Sequence, residues 1–198
     1  MDKLNNRQRQ ALETKERIYN VAMEIFQKKH FDEVSVNEIC QAAEVSTGAF
    51  YHHYPSKEHL LIKKYKLIDD MLWSSIDMLT ETDPIERIIE YVGISVQSAE
   101  DSKVEIVTEV YRVWLTLRMN FPVSYEGGIL GAIRGLVEES QVKGRFDPAL
   151  DPKEIALEII IIVHGAIYHW CHMNGDFPVR EKAIAIVRSY IEYYSIPK

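Results

Sequence analysis

Apolar residues recur at helical spacing along almost the whole chain. Ile18, Val21, Ala22, Ile25 and Phe26 fall three and four apart, so they share one stripe of a helix and predict an amphipathic helix over Thr14 to Lys29 with that stripe facing inward. No stretch of useful length alternates apolar and polar residues as a half-buried strand would. The fold class expected from this pattern is all-α, with about nine helices and no sheet.

The helix starts are written in the polar residues. "SVNEICQAA" opens a second, short helix, because Ser35 and Glu38 have the S-x-x-E spacing with which a capping box satisfies helix-start amides from both sides. After Glu44 and Val45 comes "STGAFYHHYP", with Ser46 as N-cap and Pro55 as the stop. Two short helices joined by a tight turn, with Ile39, Cys40, Val45 and Phe50 available to pack between them, form a helix-turn-helix over about residues 35–54. Ser56 is expected to cap the next helix, which runs to about Leu79.

Further on, Asp83-Pro84-Ile85-Glu86 and Asp151-Pro152-Lys153-Glu154 each place an acceptor at the N-cap, proline at the first helical position and a glutamate in the first turn. They predict helices of about 15 and about 22 residues. Helices at roughly 103–120 and 125–142 lie between them, the second closed by Gly144, and a last one runs from Pro178 to about Tyr194. The domains expected are a helix-turn-helix domain over 1–68 and a second helical domain over 69–198.

The segment "VSVNEICQAAEVSTGAFYHHYPSKEHLL", preceded by one amphipathic helix and followed by an all-helical body, resembles the tetracycline-repressor (TetR) family of bacterial transcription regulators. Ile39, Ala43, Val45-Ser46, Gly48, Phe50-Tyr51, Tyr54 and Ser56-Lys57-Glu58 carry the resemblance in one register, over about a quarter of the chain. Glu44 departs from it, standing where the family usually has glycine. A side chain there costs up to about 1 kcal/mol if its φ is positive, and a carboxylate beside DNA repels phosphate.

The resemblance implies double-stranded DNA as a partner, and the residue types fit that chemistry. Phosphate contacts position such a protein and base contacts specify the sequence. Thr47, Gly48 and Ala49 give the second short helix a small surface for the groove floor. Tyr51 and His52 carry donors for phosphate oxygens, and Lys57 a positive charge in the first turn of the following helix. Ser35 is first a cap and additionally a candidate phosphate contact. Phe50 and Tyr54, four apart, read as core, whereas His53 reads equally as a packing residue or a DNA contact. Arg7 and Arg9 form either a minor-groove arm or a frayed terminus.

Charge agrees with this division. Residues 1–66 carry 11 Lys/Arg against 9 Asp/Glu, a net of +2, which leaves 12 against 21, a net of -9, for residues 67–198. Only the first third favours a polyanion. Cys40 and Cys171 lack ligand spacing and are expected as reduced thiols in a cytoplasm. The polar N-terminus lacks the apolar stretch of a signal peptide, and the longest apolar run, Ile159 to Val163, is far short of a membrane span. GxSxG, HExxH, phosphate-loop and Cys-His patterns are absent, so no enzyme and no cofactor is expected.

The apolar character of the helix after Asp151 predicts burial on every face, achieved by pairing with a second copy. Ile159, Ile162, Ile167 and Trp170, with Ala183, Val187, Tyr190, Ile191 and Tyr194 of the last helix, are the interface residues expected, and the resemblance implies the same four-helix dimer. Two-fold symmetry then calls for a palindromic operator. Tyr111, Trp114, Leu115, Arg118 and Met119, with His164 and Tyr168, are candidates to hold a small amphipathic effector, against the alternative of ordinary core. Gly127, Gly131 and Gly135 either admit a helix or leave room for that ligand. His169 and His172 share a face, but His164 and His172 lie about 12 Å apart along the axis, so core or interface histidines are preferred to a metal site. The function expected is a homodimeric, ligand-released repressor; the alternatives are a DNA-binding protein without an effector and a metal-responsive regulator.

Overall fold

Residues 5–117 and 127–195 are described by the structure, a computed structural model, and they contain nine α-helices and two short 3₁₀ turns. Contacts divide the chain into two compact units, Met1–Lys64 and Tyr65–Lys198.

In the first unit α1 spans Asn6–Phe26, beginning eight residues before the expected Thr14. Residues 6–13 are exposed, so no apolar stripe marks them. They are helical because Asn5 and Gln8 form a reciprocal capping box, with Gln8 N donating to Asn5 Oδ1 at 2.8 Å and Asn5 N to Gln8 Oε1 at 3.0 Å. Arg7 and Arg9 therefore lie on a helix and do not form a free arm. A 3₁₀ turn, Phe31–Glu33, leads to α2, Val36–Ala42, and α3, Thr47–His53. Ile18, Ala22 and Phe26 of α1 meet Ile39, Cys40, Ala43, Phe50 and Tyr54 in a core where none is more than 4% exposed. Ser35 accepts from Glu38 N at 3.1 Å as expected, but the Glu38 carboxylate turns to Lys29 instead of closing the box.

Between α2 and α3 the chain makes a Schellman turn. Val45 N donates to Cys40 O at 3.0 Å and Glu44 N to Gln41 O at 3.2 Å, with Glu44 at φ +53°. Two more such turns among the described residues, after α7 and α8, put Gly144 (φ +68°) and Asn174 (φ +52°) at the same position, residues that tolerate it cheaply. Helix α4, Glu58–Ser74, begins two residues later than expected, and the Ser56 hydroxyl pairs with His59 Nδ1 at 3.0 Å.

In the second unit a 3₁₀ turn, Ser75–Met78, precedes α5, Pro84–Glu100, and α6, Val104–Thr116. Then come α7, Gly128–Val142, α8, Pro152–His172, and α9, Val179–Tyr194. The expected ends of the helices at 118–120 and 125–126 lie outside the described residues. Asp83 and Asp151 cap α5 and α8 as their Asp-Pro patterns predict, accepting from Ile85 N at 3.0 Å and Lys153 N at 2.9 Å. Helix α5 packs on α7 and α9, α8 on α7 and α9, and α6 on α8. Gly127 precedes α7 as its N-cap, Gly131 is buried and Gly135 is exposed, so the three glycines form neither a groove nor a single packing face.

The packing corrects the expected dimer face. Ile159, Ile167, Trp170, Ala183, Val187 and Ile191 are at most 7% exposed within this chain alone, and Ile162, Tyr190 and Tyr194 are half-buried. The six buried residues pack within this unit and have no surface left for a second copy, whereas the half-buried three keep part of theirs. Apolar side chains on the outward stripe do have that surface: Ile161 (60% exposed) and Tyr168 on α8, Ile186 and Tyr193 on α9. Helix α8 is also long and apolar enough to cross a membrane, contrary to the reading of its shorter uninterrupted run, yet half of that stretch is buried in the unit's own core.

Candidate DNA interface and effector site

Helix α3 is anchored on one side and bare on the other. Ser46 Oγ accepts from Ala49 N at 3.1 Å and fixes the first turn. Phe50, fully buried, sets its ring edge-on to Tyr51 at 5.4 Å and lies 6.0 Å from Tyr54, whose hydroxyl donates to Lys15 O at 3.1 Å. Phe50 and Tyr54 are core, as their spacing implies.

Thr47, Gly48, Tyr51 and His52 stand exposed on the opposite side, and Ala49 is half-buried. A Cβ added at Gly48 would meet nothing nearer than Ser46 Oγ at 3.9 Å. Nothing in the fold requires a glycine there, and its effect is a flat outer surface. His53 is half-buried, with its pKa held down by burial and by the neighbouring His52 and Lys15.

Ser35, Tyr51, Ser56 and Lys57 border one open groove of about 400 Å³ beside that surface. The Lys57 ammonium donates to Phe31 O at 2.7 Å and Val34 O at 2.9 Å and lies 4.4 Å from the Phe31 ring centre. Two of its three N–H groups are thus used inside the domain, and one remains for an anion. Asp32, Glu33 and Glu58 line the same groove, so a phosphate is favoured only at its Tyr51 and Lys57 side.

The second unit gathers a run of rings. Tyr65 and Trp114 stand edge to face at 4.5 Å, Tyr111 follows 5.2 Å from Trp114, and His164 and Tyr168 lie 6.3 and 6.4 Å from Tyr111. The Tyr111 hydroxyl donates to His164 O at 3.3 Å, and burial pushes the His164 pKa down to about 4, which keeps the ring neutral. Of the expected effector residues, Tyr111, Trp114, His164 and Tyr168 therefore come together. Leu115 is 74% exposed and does not join them, and Arg118 and Met119 lie outside the described residues.

Periodicity alone missed three participants. Tyr65 and Asp69 sit one turn apart on α4, and Tyr91 on α5 is fully buried with its hydroxyl unpartnered among the described residues. Burial and the nearby Asp69 carboxylate push the Tyr91 pKa up. Asp69 Oδ1 accepts from Ile129 N at 2.9 Å, and burial raises its pKa. No group of three or more metal-ligating side chains occurs among the described residues.

Two short helices joined by a tight turn on a supporting helix, the second bare on its outer side, form a helix-turn-helix, an arrangement with which proteins bind DNA. Residues 18–63 match the bacterial regulatory proteins of the tetR family. The likeness to the TetR family rests on this N-terminal segment. The chain is 33% identical over 95 residues to the transposon Tn10 TetC protein of Escherichia coli, covering 46% of this chain and 48% of that protein. It is 41% identical over 58 residues to the HTH-type transcriptional regulator UidR of Escherichia coli (strain K12), covering 29% and 30%. The chain thus spans about half the length of the first and under a third of the second.

Whole-chain likeness comes from solved structures and concerns the fold alone. A TetR-family transcriptional regulator from Pectobacterium atrosepticum superposes with a TM-score of 0.77 at 19% identity, over 95% of this chain and 97% of that one. Thermus thermophilus FadR, a TetR-family transcriptional repressor in complex with lauroyl-CoA, gives 0.67 at 16% identity, over 93% and 96%. UidR and these neighbours are regulators rather than enzymes.

Proposed function

We propose that the protein is a homodimeric transcriptional repressor, working on DNA in a cytoplasm, that binds a palindromic operator and is released by a small amphipathic effector. The observation carrying this reading is the bare Thr47-Gly48-Ala49 surface on α3, where a glycine lowers helix stability with no packing contact in return. Its neighbours supply the polar groups a groove-bound helix needs: Ser35, Tyr51, His52 and the one uncommitted N–H of Lys57.

Dimerisation is supported by the outward apolar stripes of α8 and α9, which run beside each other because the two helices pack together. The ring cluster from Tyr65 to Tyr168, with the buried Tyr91 hydroxyl, supports an effector with apolar bulk and a polar group. That a protein of this fold, Thermus thermophilus FadR, forms a complex with lauroyl-CoA supports an effector of this kind. Release requires the effector to prefer the conformer that spaces the two recognition helices wrongly, and each tenfold loss of operator affinity takes about 1.4 kcal/mol of preference.

Selection of bound sequences from random duplex DNA, followed by titration at several salt concentrations, tests the reading. The expected outcome is a palindrome bound in the nanomolar range with a steep salt dependence. Weak binding without sequence preference refutes it. A small molecule that raises the melting temperature yet leaves operator affinity unchanged refutes the release step.

A further inference from the structure

We propose that Asn37, on α2, is a specificity-determining residue that reads an adenine in the operator's major groove, acting as one unit with Thr47. The inference rests on the regulator reading above and goes beyond it by naming a base and the side chain that selects it.

Asn37 is exposed and sits on the same surface as the first residue of α3, with the Thr47 hydroxyl donating to Asn37 Oδ1 at 3.4 Å. That bond crosses from one helix of the pair to the other, and the Thr47 hydroxyl is itself held by a hydrogen bond with the buried Cys40 thiol on α2, so the fold fixes the hydroxyl that the amide meets. Its consequence is orientation. The last torsion of an asparagine is soft, and a hydroxyl on the oxygen holds the amide with a known edge outward. Oδ1 keeps a second lone pair, and the two N–H groups of Asn37 meet no acceptor among the described residues. The pair therefore presents a fixed acceptor beside a fixed donor.

Only one base edge complements that arrangement at both points. Adenine offers the N6 donor and the N7 acceptor side by side in the major groove. Guanine offers two acceptors, cytosine a donor and thymine an acceptor with a methyl group. The flat surface at Gly48 allows the approach, because a side chain there would hold the duplex away from the shorter Asn37.

The test compares the sequences selected by the full-length protein, by Asn37→Ala and by Thr47→Val. Asn37→Ala is expected to lose its preference at one position of each half-site, where the wild type selects adenine, and to keep the preferences elsewhere. Replacing that adenine by 7-deazaadenine removes N7 and is expected to weaken wild-type binding about tenfold or more while leaving Asn37→Ala unaffected. Thr47→Val keeps the shape, frees the amide and is expected to reduce the adenine preference without erasing it. Because Asn37 is exposed, an unchanged thermal melt will certify that each variant is folded. An unaltered consensus from Asn37→Ala, or a lost position that is not adenine, overturns the assignment and leaves the regulator reading standing. No consensus from the wild type overturns both.

Discussion

Glu44 at φ +53° occupies the position where two other Schellman turns among the described residues place Gly144 and Asn174. In the left-handed region a Cβ crowds the following carbonyl at about 1–2 kcal/mol. Replacing Glu44 by glycine removes that clash but gives the unfolded chain more freedom, which offsets about 0.4–1 kcal/mol. The net expectation for Glu44→Gly is a gain of roughly 0.5–1 kcal/mol. Spread over a small domain, this corresponds to a melting-temperature rise of about 2–8 °C for the transition of the N-terminal unit. Urea denaturation and calorimetry measure it. Glu44→Gln is the control: it removes the charge, keeps the clash and should stay within about 0.5 kcal/mol of wild type. Both variants should bind operator more tightly than wild type at low salt, with the difference fading as salt rises, because a carboxylate is taken from beside the phosphates. A Glu44→Gly protein no more stable than Glu44→Gln would refute the strain argument, whatever happens to DNA binding.

Three further outcomes are expected. Gly48→Ala should stabilise the protein by about 0.5 kcal/mol, since the added methyl meets open space and alanine is the better helix former, while weakening operator binding about tenfold; unchanged affinity by fluorescence anisotropy would remove α3's flat surface from the interface. His164 has a pKa of about 4 in the fold against about 6.5 unfolded, so the unfolded chain binds the extra proton between those values: stability is complete above pH 6.5 and falls as pH drops toward 4, by on the order of 3 kcal/mol at most. His164→Gln should flatten that part of the stability-against-pH curve. Ile161→Glu, on the exposed stripe of α8, should give a folded monomer by light scattering at micromolar concentration, whereas a dimeric mass would move the interface elsewhere.

How far the chain's own letters disclosed this structure depended on whether a feature is local. The caps at Ser35, Ser46, Asp83 and Asp151 and the Gly144 stop are local chemistry, and each one marks a helix boundary in the fold. The start of α1 was hidden because residues 6–13 bury nothing and so leave no stripe to detect. The partition of α8 was hidden for the opposite reason. A helix apolar all round shows no preferred face, and only the packing of α5 and α7 against one side reveals that Ile159 is core and Ile161 is surface. Tyr65, Asp69 and Tyr91 escaped because they reach the aromatic cluster from α4 and α5, helices whose periodicity carries no sign of a site.

The features that best indicate function are those with a local cost and no local return. A well-folded sequence agrees with itself at every level, and departures concentrate where something outside the chain must be accommodated. Gly48 weakens a seven-residue helix for no contact, and the apolar stripes of α8 and α9 face solvent although the core beside them is closed. The Tyr91 hydroxyl is buried with no partner among the described residues. The proposed function gives each an account: a duplex against α3, a second copy against α8 and α9, and a polar ligand group against Tyr91. Glu44 belongs to the same set with the opposite sign, since its carboxylate opposes DNA while its backbone strains the turn. On the proposed function it would limit how tightly the protein holds its operator, which suits a regulator released by an effector.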